Sequence, residues 1–231
     1  MVYFAVIASR GTQQWSDHVD ACKETWATTI KSGDSLRFLF GDTTKEIVED
    51  DFLSLEGTIS GDDIHYPVAD SYHKVLYKTL INMKDFLNTS HNYYVRTHTG
   101  SYLHLGIMHD MCSILPTTNL YAGYRGFVDE SNTYFASGAC FILSRDVVER
   151  VVNEFSSHRS SLGNLCSYDD VALGSMVTKS FGIPIVELPR ITIFDKLLFH
   201  PNIAHYYFTK ESGKNPEYHR IIHQQFGLVG K

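Results

Sequence analysis

No stretch of this 231-residue sequence approaches the roughly 20 consecutive apolar residues that span a bilayer, so a soluble protein is expected. Cysteine is sparse: Cys22, Cys112, Cys140 and Cys166 form no CxxC pair and no dense framework, which excludes a disulfide scaffold and fits a reducing compartment. Positive charge is in the minority, with 20 Lys and Arg against 26 Asp and Glu. Polyanion affinity rests on basic side chains displacing counterions, so a dedicated nucleic-acid binder is not expected. The one basic concentration is C-terminal, at Lys210, Lys214, His219, Arg220 and His223. Also missing are a Walker loop, G-x-G-x-x-G, G-x-S-x-G and H-E-x-x-H, and several enzyme classes go with them. The opening MVYFAVIASRG has no basic residues before it and no small-residue cleavage site. It reads as a buried strand rather than a signal peptide, and a cytoplasmic location is the expectation. What remains is ordinary globular composition, 43% hydrophobic and 20% charged, in a length that suits one domain.

Residues Val2 to Ser9 form an almost unbroken apolar run closed by Arg10-Gly11, the pattern of a strand buried on both faces. A helix follows, with Ser16 as its cap and Val19, Cys22, Trp26 and Ile30 as a buried stripe. Leu36 to Phe40 reads as a strand ended by Gly41-Asp42, Glu46 to Asp51 as a solvated acidic connection, and Ile59 to Tyr66 as a third strand. The clearest helix spans about Asp70 to Leu87: Tyr72, Val75, Leu76, Thr79, Leu80, Met83 and Phe86 share a face, and Asp70 stands at the N-cap. Tyr93 to Thr97 predicts a strand, His98 to Ser101 a turn, Leu103 to Leu115 a helix, and Leu120 to Tyr124 and Phe135 to Leu143 two further strands. Ser144 caps a helix from Asp146 to Phe155, Leu162 to Ser167 is a loop, Asp169 to Ser180 a helix stopped by Gly182, and Ile183 to Leu188 a last strand. The tail after Phe194 shows no period. Strand and helix alternate, which predicts an α/β domain with a mainly parallel sheet and helices on both faces. Ligands then sit where strands deliver their C-terminal ends, so Ser9-Arg10, the turn after Thr97 and the loop before Asp169 should converge.

Polar residues stand at those ends. Asp169 and Asp170 put two carboxylates at a helix start, where one can act as general base on a hydroxyl; equally, Ser167 with Asp170 fits a capping box at the positive end of the helix dipole. Arg96-Thr97-His98-Thr99-Gly100 runs a strand into a glycine turn, either to meet a diphosphate with backbone amides and an arginine or simply to leave the sheet. Small residues in Tyr134 to Ala139 either admit substrate close to the backbone or are routine packing. Among His98, His200, His205, His219 and His223 no recognised metal-ligand spacing occurs.

Taken in order, these segments resemble the β-1,3-galactosyltransferase and Fringe superfamily of inverting GT-A glycosyltransferases. Val6 to Ser9 followed by Cys22-Lys23-Glu24-Thr25-Trp26 is similar to its opening strand and R-x-T-W helix, and Asp70 to Leu80 to its D-S-Y-x-N-L-x-x-K-T motif. Tyr134 to Arg145 resembles its Y-x-S-G-x-x-y-x-L-S segment, and Tyr168 to Gly174 its E/D-D-V-x-x-G motif. The joint match covers roughly residues 2 to 190 and is far more specific than any one motif. It implies a single GT-A domain over residues 1–231, the tail 191–231 completing the site.

The implied reaction is inverting transfer from a UDP-sugar, with Asp170, or failing that Asp169, as base. Implied donor contacts are Ser9, Arg10, Asp42, Lys78, Arg96, Thr97, His98 and Thr99, and implied acceptor contacts Tyr134, Ser137 and Gly138; Tyr72 is either donor-side or core. The sequence departs from the family where D-D-D is expected, since His98-Thr99-Gly100 offers no carboxylate. Either His98 with His205 holds Mn²⁺ or Mg²⁺, or positive charge from Arg96, Arg10 or a tail residue makes catalysis metal-independent, or catalysis is lost. The expected acceptor is a glycan or glycoprotein, in a bacterial, phage or viral setting. The alternatives are a hydroxylated base in phage-type DNA, which the C-terminal basic cluster favours, and an inactive sugar-binding module.

Overall fold

The opening run becomes β1 (Val2–Ile7), with all six side chains buried. Successive side chains of a strand point to opposite faces, so β1 needs apolar partners on both sides. Tyr3, Ala5 and Ile7 enter one core cluster, and Val2, Phe4 and Val6 enter another. Burying a ring such as Phe4 contributes about 1.5–3 kcal/mol. The computed structural model describes residues 1–42, 44, 52–157, 168–194, 196–209 and 215–229. After β1 come α1 (Gln13–Glu24), β2 (Ser35–Asp42), β3 (Thr58–Ser60), β4 (Asp63–Ala69), α2 (Val75–Leu87), β5 (Tyr93–His98), β6 (Ser101–Leu103) and α3 (Leu105–Ile114). Then follow β7 (Tyr121–Val128), β8 (Thr133–Ser144), α4 (Arg145–Ser157), α5 (Asp169–Ser175), β9 (Ile185–Glu187), β10 (Ile191–Ile193), β11 (His205–Phe208) and α6 (Glu217–Val229).

One sheet has the order β3-β4-β2-β1-β5-β8-β7-β9, and a smaller one joins β10, β11 and β6. Strands β4, β2, β1 and β5 are parallel, as are β7 and β9; β8 is antiparallel to β5 and β7, and β3 to β4. Helices α2, α4 and α5 share the cluster of Tyr3, while α1, α3 and α6 share that of Phe4. Both faces of the sheet are therefore covered, as the alternation implied. No helix among the described residues is long and apolar enough to cross a membrane.

Several local expectations are corrected. Helix α1 is capped by Thr12, whose hydroxyl accepts from the Trp15 amide, and Ser16 lies inside its first turn. The chain then tightens into a 3₁₀ turn, Trp26–Thr29. A 3₁₀ turn advances three residues per turn rather than 3.6, so Trp26 stays in the core while Ile30 leaves the stripe and is exposed. Ile59 to Tyr66 is a hairpin, β3 and β4, turning at Gly61. A 3₁₀ turn, Tyr72–Lys74, precedes α2, so Asp70 is not its cap and Tyr72 is swung out of the buried face. The helix expected to Ser180 ends at Ser175 and continues as a wider π-type turn, Met176–Ser180. The aperiodic tail contributes regular elements among its described residues: β10, β11 and α6 bury Ile193, Tyr206, Phe208 and Ile222. Glu46 to Asp51, Leu162 to Ser167, Lys210 and Lys214 lie outside the described residues, and the capping-box partner Ser167 with them.

Candidate active site

Strand β5 runs between β1 and β8, so its exit brings three segments together. On the α2 and α5 side, Arg96 points into the protein and is 3% exposed. Its Nη2 lies 2.6 Å from Asp169 Oδ2, and its Nη1 donates to the Gly138 carbonyl of β8. The Gly138 amide in turn donates to Asp170 Oδ2 at 2.7 Å, and the Val171 amide to Asp170 Oδ1 at 3.0 Å. Glycine is required at 138: a Cβ there would stand 2.6 Å from Arg96 Nη1 and 3.1 Å from Asp170 Oδ2. The carboxylate pair is thus tied to β8 as well as to its own helix. The N-cap position of α5 is Tyr168, with no side-chain cap bond, and Asp170 accepts both from the Val171 amide of its own first turn and from Gly138 of β8. Burial, and then the neighbouring Asp169 charge, push the Asp170 carboxyl above the usual range.

Next to this group lies a second buried pair. Lys78 Nζ is 2.6 Å from Asp70 Oδ1 and donates to the Ala8 carbonyl at 3.1 Å, with both side chains almost fully covered. Burial lowers the Lys78 pKa, Asp70 opposes that, and Arg96 and Asp169 lie within its field. Here Ala8 at the end of β1 meets Lys78, and Arg96 of β5 meets Asp169 at the start of α5, whereas the side chains of Ser9 and Arg10 and the carbonyl of Thr99 are engaged elsewhere and the loop up to Ser167 lies outside the described residues. Asp70 was expected as a cap and is instead the counterion of Lys78, because the 3₁₀ turn places the start of α2 further along the chain.

Other implied donor residues are engaged locally. Ser9 Oγ accepts from the Gly11 amide, Arg10 pairs with Asp20 at 3.1 Å in solvent, and Asp42 Oδ1 accepts from the Thr44 amide and hydroxyl. Thr97 Oγ1 donates to Ala139 O at 2.7 Å, and Thr99 offers its carbonyl to His219 Nε2 at 3.0 Å, so both side chains are built into the core. Ser137 precedes Gly138 on β8, and its Oγ accepts from the Ala139 amide at 3.3 Å. Tyr134, by contrast, lines an open groove of about 310 Å³ with Arg125, Thr178 and Gly182 to Ile185, which shares no lining residue with Asp169 or Asp170. Tyr72 and Tyr168 meet edge to face at 5.9 Å and are both largely exposed, an aromatic rim beside the carboxylates.

On the other side of β8 stands a residue the sequence reading missed. Arg190, between β9 and β10, lays its guanidinium 3.6 Å from the Tyr124 ring centre and 4.9 Å from that of Tyr207, and its Nη1 is 3.3 Å from Ser137 Oγ. Tyr207 also meets His98 edge-on at 6.0 Å. His98 Nδ1 accepts from the Gly100 amide at 2.9 Å, and burial, then the cations Arg96 and Arg190, hold its pKa down to about 3. His205 Nε2 lies 3.3 Å from Ser101 Oγ. No group of three His, Cys, Asp or Glu side chains that could hold a metal ion occurs among the described residues. The C-terminal basic cluster does not make a patch there either: His219 is fully buried, and Arg220 pairs with Glu24 and Glu217.

No family model matches the sequence, and no curated protein matches it. Among solved structures the chain is similar to the galactosyltransferase LgtC in complex with donor and acceptor sugar analogs, with a TM-score of 0.53 and 8% identity over 97% of this chain and 95% of that one. It also matches a glycosyltransferase involved in the glycosylation of the major capsid of PBCV-1, at a TM-score of 0.49 and 9% identity over 95% and 99% of the two chains. At such identity the likeness to LgtC is one of architecture, and the architecture of this chain is a single-domain α/β fold of the GT-A kind.

Proposed function

We propose that this chain is a glycosyltransferase that moves a sugar from a UDP-sugar to an acceptor hydroxyl with inversion, as a divergent member of the β-1,3-galactosyltransferase and Fringe superfamily. The observation that carries the reading is the division of labour between Asp169 and Asp170. Asp169 neutralises Arg96, whereas Asp170 accepts from the backbone amides of Gly138 and Val171 and has its proton affinity raised by burial. A general base works best with a pKa near the working pH, and a buried carboxylate beside another carboxylate moves that way.

In this mechanism the acceptor hydroxyl gives its proton to Asp170, and its oxygen attacks the anomeric carbon from the face opposite the leaving group. The bond to the diphosphate breaks and its electron pair goes to a phosphate oxygen, where charge must be met by fixed donors. The Tyr72 and Tyr168 rim offers ring faces to an acceptor glycan. A panel of UDP-sugars, followed by UDP release and by the anomeric form of the sugar passed to water or acceptor, tests the reading. One UDP-sugar should raise the melting temperature and give an inverted product. Retention of configuration contradicts Asp170 as base, and a folded protein that no UDP-sugar stabilises contradicts the transferase reading.

A further inference from the structure

Of the cations near the strand ends, three have carboxylate partners: Arg96 with Asp169, Lys78 with Asp70, and Arg10 with Asp20. Arg190 has no carboxylate partner among the described residues, and its Nε is buried without a hydrogen bond. A guanidinium stays charged in a protein, and two aromatic faces hold this one in place without neutralising it. Its position is fixed relative to the carboxylate pair, because the serine it touches precedes Gly138, the residue to which Asp170 is bonded.

The histidines on this side fit an anion rather than a cation. His98 accepts the Gly100 amide proton on Nδ1, so the neutral ring carries its own proton on Nε2 and has no lone pair to give a metal. Glycine is needed for that arrangement, since a Cβ at 100 would stand 2.8 Å from His98 Cε1. Ser101 Oγ directs its proton to Ala139 O at 3.2 Å, so His205 Nε2 is the donor in its contact with Ser101. With no third ligand and no carboxylate beside these rings among the described residues, the donor set does not fit Mn²⁺ or Mg²⁺. Arg190 and the His98 ring both contact one ring, Tyr207, and both side chains are hydrogen-bond donors.

We propose that Arg190, assisted by His98, receives the diphosphate of the nucleotide-sugar and neutralises the leaving group, so that donor binding and turnover need no divalent cation. The inference rests on the transferase reading above. When the anomeric C–O bond breaks, the electron pair stays on the phosphate oxygen facing the fixed guanidinium, and no proton transfer to it is required.

The test is calorimetric titration of the full chain with UDP and with uridine in EDTA, for wild type, R190Q and R190K. Wild type should bind UDP in EDTA with an affinity that added Mn²⁺ leaves unchanged. R190Q should weaken UDP by roughly ten- to a hundredfold and leave uridine binding as it was, with R190K in between. Equal UDP affinity in wild type and R190Q overturns the proposal alone, as does UDP binding that vanishes in EDTA and returns with Mn²⁺. Failure of both UDP and uridine to bind wild type overturns the transferase reading as well. Should R190Q not fold, R190K decides: UDP affinity equal to wild type, together with indifference of UDP binding to ionic strength, contradicts the proposal.

Discussion

The two sides of the β5 and β8 strand ends solve the problem of buried polarity in opposite ways. Toward α2 and α5, the cations Lys78 and Arg96 are each met by a carboxylate, and the charges cancel in pairs. Toward α1 and α6, His98, His205 and His219 are held neutral by burial, and Arg190 is left without a carboxylate among the described residues. A matched pair is a scaffold: it fixes positions and has little charge left for a ligand. An unmatched cation among neutral donors is a receptor, because its field is cancelled only when an anion arrives. On the proposed reading, the difference separates the part of the site that positions Asp170 from the part that meets phosphate.

Breaking the scaffold side should give the largest effect on stability. Arg96→Met leaves Asp169 buried without its partner, and removing one member of a buried pair costs about 3–5 kcal/mol. Urea melts should show that loss, and adding Asp169→Asn to the same chain should recover part of it, since a double-mutant cycle isolates the pair. Lys78→Met should behave in the same way through Asp70 and also free the Ala8 carbonyl at the end of β1.

The neutral side sharpens the comparison through pH. His98 and His219 have folded pKa values near 3, against 6.5 for a free histidine, and His205 is also lowered. Between about pH 6.5 and 3 the unfolded chain therefore binds more protons, so stability rises with pH across that window and is lost as pH falls. Each of these histidines should cost up to about 1.4 kcal/mol per pH unit there. Asp170, whose folded pKa is raised, has the opposite sense and offsets a part. Urea midpoints measured at pH 7, 6 and 5 check the slope, and replacing His219 by Gln should flatten it.

Much of this fold was legible in the sequence, because buried parallel strands leave unbroken apolar runs. Val2 to Ile7 and Tyr93 to Thr97 were legible as strands, and Arg96 and Asp169 were both named, though their ion pair was not. The carboxylate pair was legible as chemistry but not as a division of roles, which depends on the Gly138 amide reaching one aspartate and Arg96 the other. Arg190 left no local signal: its stacking partners Tyr124 and Tyr207 come from distant strands, and only its place between two short strands marked it. The tail escaped because His205 to Phe208 mixes histidine with aromatics, which hides a strand whose residues are largely buried. Ser16 was named as a cap where Thr12 serves, and there the expected effect is smallest: Thr12→Ala should cost about 1 kcal/mol in a thermal melt and leave ligand binding unchanged.

The division between the two aspartates is tested most directly by measuring UDP release and melting temperature for Asp170→Asn beside Asp169→Asn. Asp170→Asn should melt close to wild type and lose about 10²- to 10⁴-fold in turnover, the range for a general base, while Asp169→Asn should melt lower because Arg96 is left unpaired. A folded Asp170→Asn protein that turns over as fast as wild type would contradict the account.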